Sequence, residues 1–304
     1  MNAQVKFPVP DHDRAYVGGG NVAGILGLSP YRTPLHEYLA ILGEADPPTP
    51  DQLKFFARRK SLEPFAAQVF EQESGLRIVR ANERYIDQAH PFIRAEIDFE
   101  VEGATGVENV ETKSVHPLAV KDWGDADSDE FPSYVAAQCM HGLSVTNRAV
   151  CHVNALIGFD DARRYRVERD EEVIARIRGE EVAFWDRVLT RNAPPPVDSE
   201  DLRRMFARDS GRVLDADDET AARIAQIKEL KAQAKAIENE IEAASELVKL
   251  TMRDASIVTY AGTTLLTWKA QIANRFDQKE FGQAHPALFE QFKRASEFRV
   301  FRVK

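Results

Sequence analysis

The sequence predicts an α/β fold. Helical periodicity dominates the start of the chain, alternating strand patterns fill residues 77–169, and helical periodicity returns afterwards. In order, Asn21 is expected to cap a helix over residues 22–28, and Ser61 a helix whose first turn is Leu62-Glu63-Pro64. Strands follow at 77–79, 92–101 and 106–115, then a helix at 133–143, strands at 149–157 and 164–169, and a helix at 171–189. Three consecutive prolines, Pro194 to Pro196, with the acidic stretch behind them read as a linker. The expected division is a first domain over 1–192, a linker over 193–216 and a C-terminal unit over 217–304.

That unit opens with apolar residues at Ile224, Ile227, Leu230, Ala234, Ile237, Ile241, Ala244, Leu247 and Leu250, in steps of three and four. A helix over 217–253 would be about 55 Å long at 1.5 Å per residue. A coiled-coil hairpin, an oligomer contact and a bundle helix all fit the pattern, and the stripe is expected to be covered by the chain's own C-terminal elements, with partner contacts on the outer face. Beyond it, Ile257-Val258-Thr259-Tyr260 and Leu265-Leu266-Thr267-Trp268 flank Ala261-Gly262 as a β-hairpin. A helix over 286–295 and a strand over 298–303 complete a small α+β unit.

With 304 residues, 43% hydrophobic and 29% charged, the chain has the composition of a soluble globular protein. No apolar run reaches membrane-spanning length, and residues 1–13 lack the basic start and apolar stretch of a signal peptide. Cys139 and Cys151 offer no metal spacing or disulfide framework. A cytoplasmic protein with no membrane partner is therefore expected. The net charge of −9 argues against a uniformly basic nucleic-acid coat, although basic clusters at 54–60, 163–166 and 203–212 leave room for a local one. Gly18-Gly19-Gly20-Asn21-Val22-Ala23 satisfies G-x-G-x-x-A. The proline-rich stretch before it cannot be the buried strand that dinucleotide motif needs, so the match is dismissed.

The chemistry-bearing pattern lies in the middle strands. In Ala95-Glu96-Ile97-Asp98-Phe99-Glu100-Val101 apolar and acidic residues alternate, and in Val110-Glu111-Thr112-Lys113 the acid and the lysine share a face. If the strands pair through Gly103 to Gly106, Asp98 and Glu111 can converge. With the backbone oxygen of Thr112 they would offer an oxygen-only site for a hard cation such as Mg²⁺. Lys113 beside it could hold an attacking water and offset charge on a phosphate. A solvated edge carboxylate and an ordinary Glu111–Lys113 ion pair remain the plainer alternatives. Asp277-Gln278-Lys279 repeats the D-x-K spacing without an acid-bearing strand before it and reads as incidental.

The order Glu63, Asp98, Glu111-Thr112-Lys113, Tyr134, Gln138 resembles the PD-(D/E)xK nuclease superfamily. Residues 18–31, Leu62-Glu63-Pro64, Trp123, Pro132-Ser133-Tyr134, Ala137-Gln138 and Arg169 to Glu172 narrow this to a resemblance to YqaJ-type viral recombinases, relatives of the lambda phage exonuclease, over about residues 14–190. The resemblance implies a restriction-endonuclease-like core, a central mixed sheet flanked by helices. It also implies a Mg²⁺-dependent exonuclease that digests linear double-stranded DNA for single-strand annealing recombination, with two ions and Mn²⁺ able to substitute. Asp98, Glu111, Thr112 and Glu63 would hold metal, and Lys113 and Gln138 would join Asp98, Glu111 and Glu63 in catalysis. Arg14, Gly20, Asn21, Tyr31, Arg32 and Tyr134 would meet DNA. Gly20 replaces a serine common in the family and associated with a 5′-phosphate. A single-strand annealing protein and further copies of the chain are the implied partners. The alternative function is a catalytically silent DNA-end or partner-binding module with the C-terminal helix as adaptor. Arg275-Phe276-Asp277 and Arg299-Val300-Phe301-Arg302 resemble tails on phage members of the family, a likeness that carries no known chemistry.

Overall fold

A computed structural model describes residue 12, residues 15–295 and residues 298–304. The chain forms two compact units, Met1–Met205 and Phe206–Lys304. The first contains strand β1 (Val17–Gly18), helices α1 (Gly19–Ile25), α2 (Pro34–Leu42) and α3 (Pro50–Ser74), strands β2 (Ile78–Ile86), β3 (Ile93–Gly103) and β4 (Gly106–Val115), helix α4 (Ser133–Thr146), strands β5 (Val150–Ile157) and β6 (Asp161–Glu168), and helices α5 (Glu171–Thr190) and α6 (Ser199–Met205). This is the mixed α/β architecture the sequence predicts.

Six strands make one mixed sheet. β3 and β4 form the expected hairpin, with Gly103 opposite Gly106 and Phe99 opposite Val110. β4 then runs parallel to β5, placing Glu111 beside Val153 and Lys113 beside Ala155. β2 lies antiparallel along β3 from Arg94 to Val101. Because β2 fills one edge of β3, the parallel pairing of β1 at Ile93 and Arg94 must use the opposite edge, the same edge that β4 uses from Phe99 onward. Residues 95–98 are thus left unpaired on that edge, between two strands that do not meet.

Helices cover both faces. On one, Phe70 of α3 packs on Phe99, Val101 and Val110, and Asn154 Nδ2 of β5 donates to the Ala66 carbonyl at 3.0 Å. On the other, Val135, Cys139 and Leu143 of α4 pack on Cys151, Val153 and Ala155. A third cluster joins α1, α2 and α5 through Val22, Ile25, Tyr38, Ile41 and Trp185, whose ring stacks on Phe92 at 4.7 Å.

Several expected boundaries are corrected. Asn21 is not a helix cap. Gly18 precedes α1, and the Asn21 side chain accepts the Gly18 N–H at 3.0 Å from within the first turn. Ser61 is not a cap either. α3 starts eleven residues before it, where Thr49 and Gln52 form a reciprocal capping box around Pro50. Pro64 sits inside this helix, and Ser61 Oγ donates to the Arg58 carbonyl. α2, capped by Thr33, is an element that the sequence periodicity does not predict. In the stretch expected to be linker, α6 forms and its buried Asp201 accepts a bond from Thr33 Oγ1 at 2.8 Å, anchoring residues up to Met205 to the first unit.

The second unit contains α7 (Asp218–Met252), the hairpin β7 (Ile257–Tyr260) and β8 (Thr263–Thr267), and two short helices, α8 (Gln278–Ala284) and α9 (Pro286–Phe292). Asp217 caps α7, accepting the Thr220 N–H at 2.8 Å. Among the described residues, no C-terminal element covers the α7 stripe as expected, since Ile237, Ile241, Leu247 and Leu250 are each more than half exposed. The strand expected over 298–303 does not form. Asp277, incidental in the D-x-K copy, caps α8.

Gly24 of α1 packs against the fully buried Glu37 of α2, and a Cβ there would lie 2.6 Å from Glu37 Cγ. At Gly20 a Cβ would meet nothing within 4 Å. Gly24→Ala is therefore expected to destabilise the protein by about 1–3 kcal/mol in chemical denaturation. Gly20→Ala should be neutral or stabilise by up to about 1 kcal/mol. Equal effects would show that the α1–α2 contact is not as tight as described.

Candidate active site

The unpaired stretch of β3 ends at Asp98, where the ladder with β4 has already stopped. The next N–H on that edge of β4, that of Thr112, bonds instead to Asp98 Oδ2 at 2.8 Å. Strand alternation then turns Glu111 and Lys113 toward α4, on the face opposite Val110. Lys113 Nζ donates to Glu111 Oε1 at 2.7 Å and to Gln138 Oε1 at 2.6 Å, and Gln138 Nε2 donates to the same Glu111 oxygen at 2.8 Å. Asp98, Glu111, Lys113 and Gln138 are thus brought together at the notch.

Burial and the closeness of two carboxylates dominate the electrostatics of the site. Burial, then the Glu111 carboxylate, pushes the Asp98 pKa up to about 8, against the opposing pull of the Thr112 N–H and Lys113. For Lys113, burial works against the charge, but Glu111 and Asp98 outweigh it and hold the ammonium pKa above its ordinary value. A divalent cation would relieve the repulsion between the carboxylates, and two carboxylates with the neighbouring Thr112 carbonyl form the hard oxygen donor set that Mg²⁺ or Mn²⁺ takes. Among the described residues no three His, Cys, Asp or Glu side chains form a ready-made metal cage.

Glu63 does not join the two acids directly. It lies on α3 and is held by Lys60 Nζ at 2.6 Å, although its charge still adds to the repulsion felt by Asp98. Lys60 was missed by sequence reasoning. It also bonds Asn82 Oδ1 at 3.0 Å, and its ammonium pKa is raised chiefly by the Glu63 hydrogen bond, with Asp98 contributing. Its signal was present as an i,i+3 pair with Glu63, hidden in the basic run at 54–60. Arg59, next to it, bonds Ser114 Oγ at 2.6 Å, so this end of α3 is tied to β4.

Of the residues expected at DNA, five lie among the described residues, on α1, in the segment after it and on α4. Arg14 lies outside the described residues. Gly20 is exposed at the start of α1, and the space around it would admit a serine. Both polar groups of the Asn21 side chain are used within the protein, Oδ1 by the Gly18 N–H and Nδ2 in a 2.7 Å bond to Glu37 Oε2. Arg32 pairs with the same Glu37 oxygen at 3.4 Å and stays part-exposed. Tyr134, one turn before Gln138, meets Tyr31 edge-on at 6.1 Å, and Tyr31 is 77% exposed. Gly19 explains how α1 approaches this closely, because a Cβ would stand 3.2 Å from Gln138 Cγ. His141 is a satisfied core histidine, bonded to Glu181 Oε1 at 2.5 Å and to the Arg94 carbonyl at 2.8 Å.

An acid on one strand and an acid-x-lysine on its diverging neighbour is the arrangement that the PD-(D/E)xK pattern describes. The chain is similar to one such group: residues 11–149 match the YqaJ-like viral recombinase domain. It is 29% identical over 306 residues to the uncharacterized protein YqaJ of Bacillus subtilis (strain 168), an alignment covering 96% of this chain and 92% of that one. Similar solved structures include the alkaline exonuclease LHK-Exo from Laribacter hongkongensis, 19% identical, with a TM-score of 0.45, covering 64% of this chain and 94% of that one. Another is a phage related exonuclease from Haemophilus somnus 129PT, 14% identical, with a TM-score of 0.44, covering 58% and 94%.

The raised Asp98 pKa has a consequence for the metal-free protein. In the unfolded chain the carboxyl titrates near its ordinary value, so the fold loses stability as pH rises from that value to about 8. Asp98→Asn removes this cost while keeping an oxygen for the Thr112 N–H. At pH 8 in chelator the variant is expected to be more stable than wild type by at least about 1 kcal/mol, with the difference vanishing near pH 4. A less stable variant at pH 8 would show that the acid is held ionised without a cation.

Proposed function

We propose that this chain is a Mg²⁺-dependent deoxyribonuclease, an exonuclease that digests linear double-stranded DNA from its ends. The observation that carries the proposal is the juxtaposition of Asp98, Glu111, Lys113 and Gln138 where the edge of β3 is left open. The match to a viral recombinase domain supports it, because recombination through annealing needs an activity that exposes single strands.

Asp98, Glu111 and the Thr112 carbonyl would hold the cation, with Glu63 reaching a second ion once it leaves Lys60. When bound, a divalent cation supplies Lewis-acid activation of water and neutralises phosphate charge. The chain's own groups do the rest. Lys113 places a fixed ammonium beside the carboxylates, where it can hold the attacking water and offset charge on the phosphate in the transition state. Gln138 grips both Lys113 and Glu111, so neither side chain must be ordered when substrate arrives. The exposed Tyr31 ring, braced on Tyr134, offers a stacking surface for a base at the mouth. A single-strand annealing protein, other copies of the chain and a place in the cytoplasm of a bacterial or phage-infected cell belong to the same reading. Among the described residues no helix is long and apolar enough to cross a membrane.

Asp98→Ala and Glu111→Ala are each expected to lower cleavage of linear duplex in Mg²⁺ at least 100-fold while the fold persists. Near-normal cleavage by either variant would refute the metal assignment. Lys113→Ala should reduce turnover far more than DNA binding, and equal losses would make it a phosphate contact. Linear duplex should be consumed while closed circles persist. Rapid nicking of circles would instead identify an endonuclease.

A further inference from the structure

The second unit carries a surface that the nuclease reading leaves unused. Residues 257–304 hold eight Lys and Arg against four Asp and Glu, in a chain whose totals are 40 and 49, so this stretch opposes the sign of the whole. The same residues expose Tyr260, Trp268, Phe276, Phe292, Phe298 and Phe301, each between 46% and 77% accessible. The less exposed rings of the unit, Phe281 and Phe289, make its internal contacts, one of them with the edge of this exposed set at Phe276. Phe281 packs on Phe276 and His285, and Phe289 lies against Gly282.

In the sequence these exposed rings alternate with cations. Trp268 is followed by Lys269, Arg275 precedes Phe276, Lys293 and Arg294 follow Phe292, and Arg299 and Arg302 flank Phe301 at distances of two and one. Among the described residues, Lys269, Arg275, Arg294 and Arg302 form no ion pair. Cations interleaved with solvent-facing rings suit a ligand that repeats a flat apolar face and a negative charge along one chain. Single-stranded nucleic acid has that chemistry: bases stack on rings and phosphates meet the cations. Duplex DNA keeps its base faces inside and could use only the charges.

We propose that residues 257–304 form a single-stranded DNA-binding unit, with Trp268, Phe276, Phe298 and Phe301 stacking on bases and Arg275 and Arg302 meeting phosphates. Its identification with the strand that digestion leaves behind rests on the nuclease reading, whereas its binding chemistry does not.

The test is fluorescence anisotropy of a labelled oligothymidylate with the full chain in chelator, where no cleavage can occur, over a salt series. Wild type is expected to bind, more weakly as salt rises. The double variant Phe298→Ala/Phe301→Ala should bind at least tenfold more weakly. Phe298→Tyr/Phe301→Tyr should bind as wild type, and Phe298→Leu/Phe301→Leu should fail like alanine, because an aliphatic side chain has no stacking face. Arg275→Ala/Arg302→Ala should flatten the log–log salt slope by about 1.4, at roughly 0.7 for each phosphate that an arginine neutralises. Because these side chains are exposed, far-ultraviolet circular dichroism of each variant should match wild type. No oligothymidylate binding by wild type, or equal binding by the alanine and wild-type proteins, overturns the proposal. If the leucine variant restores what alanine loses, or if sedimentation shows that the alanine variant loses self-association while still binding DNA, the surface is a protein interface instead. Duplex cleavage in Mg²⁺, measured in parallel, separates the two readings: binding without cleavage refutes only the nuclease, and cleavage without binding refutes only this unit.

Discussion

The first unit is organised around an edge of β3 that no single strand occupies. β1 pairs with it at Ile93 and Arg94, β4 pairs from Phe99 onward, and residues 95–98 lie between them. A backbone edge left open inside a sheet costs hydrogen bonds, and the chain answers with side chains: Asp98 accepts the Thr112 N–H. The same gap admits the start of α1. There Gly19 allows a close approach, because a Cβ would stand 3.2 Å from Gln138 Cγ and press on that side chain. Fold and site therefore share one cause.

That gap also sets the electrostatics. Two carboxylates meet where burial penalises charge, and the sheet cannot move either away without breaking the β3–β4 or β4–β5 ladder. Lys113 and Gln138 satisfy Glu111, but Asp98 is left with one N–H and a strongly raised pKa. An arrangement that stores repulsion in the free protein favours whatever brings positive charge.

What could be read from sequence follows from the range of the forces involved. Asp98, Glu111 and Lys113 were legible because strand alternation and the Gly103–Gly106 turn are local rules, and the turn fixes the register. The length of β2 was not legible beyond Val79. Its remaining residues are mostly polar or exposed, as suits an edge strand, and carry no apolar rhythm. The start of α3 is written in Thr49-Pro50-Asp51-Gln52, a capping signal that competes with the weaker one at Ser61 and Pro64. Asn21 resembles a cap in sequence because its actual partners, Gly18 and Glu37, depend on the docking of α2, which periodicity does not reveal. Lys60 was hidden by its basic neighbours. The uncovered stripe of α7 shows the limit of amphipathic reasoning, which identifies a face that favours burial without naming its cover.

The role proposed for Asp98 and Glu111 is to hold a divalent cation at the open edge of β3. It is tested most directly by crystals soaked in Mn²⁺ and measured for anomalous scattering. A peak is expected about 2.1 Å from carboxylate oxygens of both Asp98 and Glu111, with the Thr112 carbonyl completing the protein ligands and Lys113 near but not ligating. A peak elsewhere, or none at saturating Mn²⁺ with the Lys113–Glu111 pair intact, would contradict it.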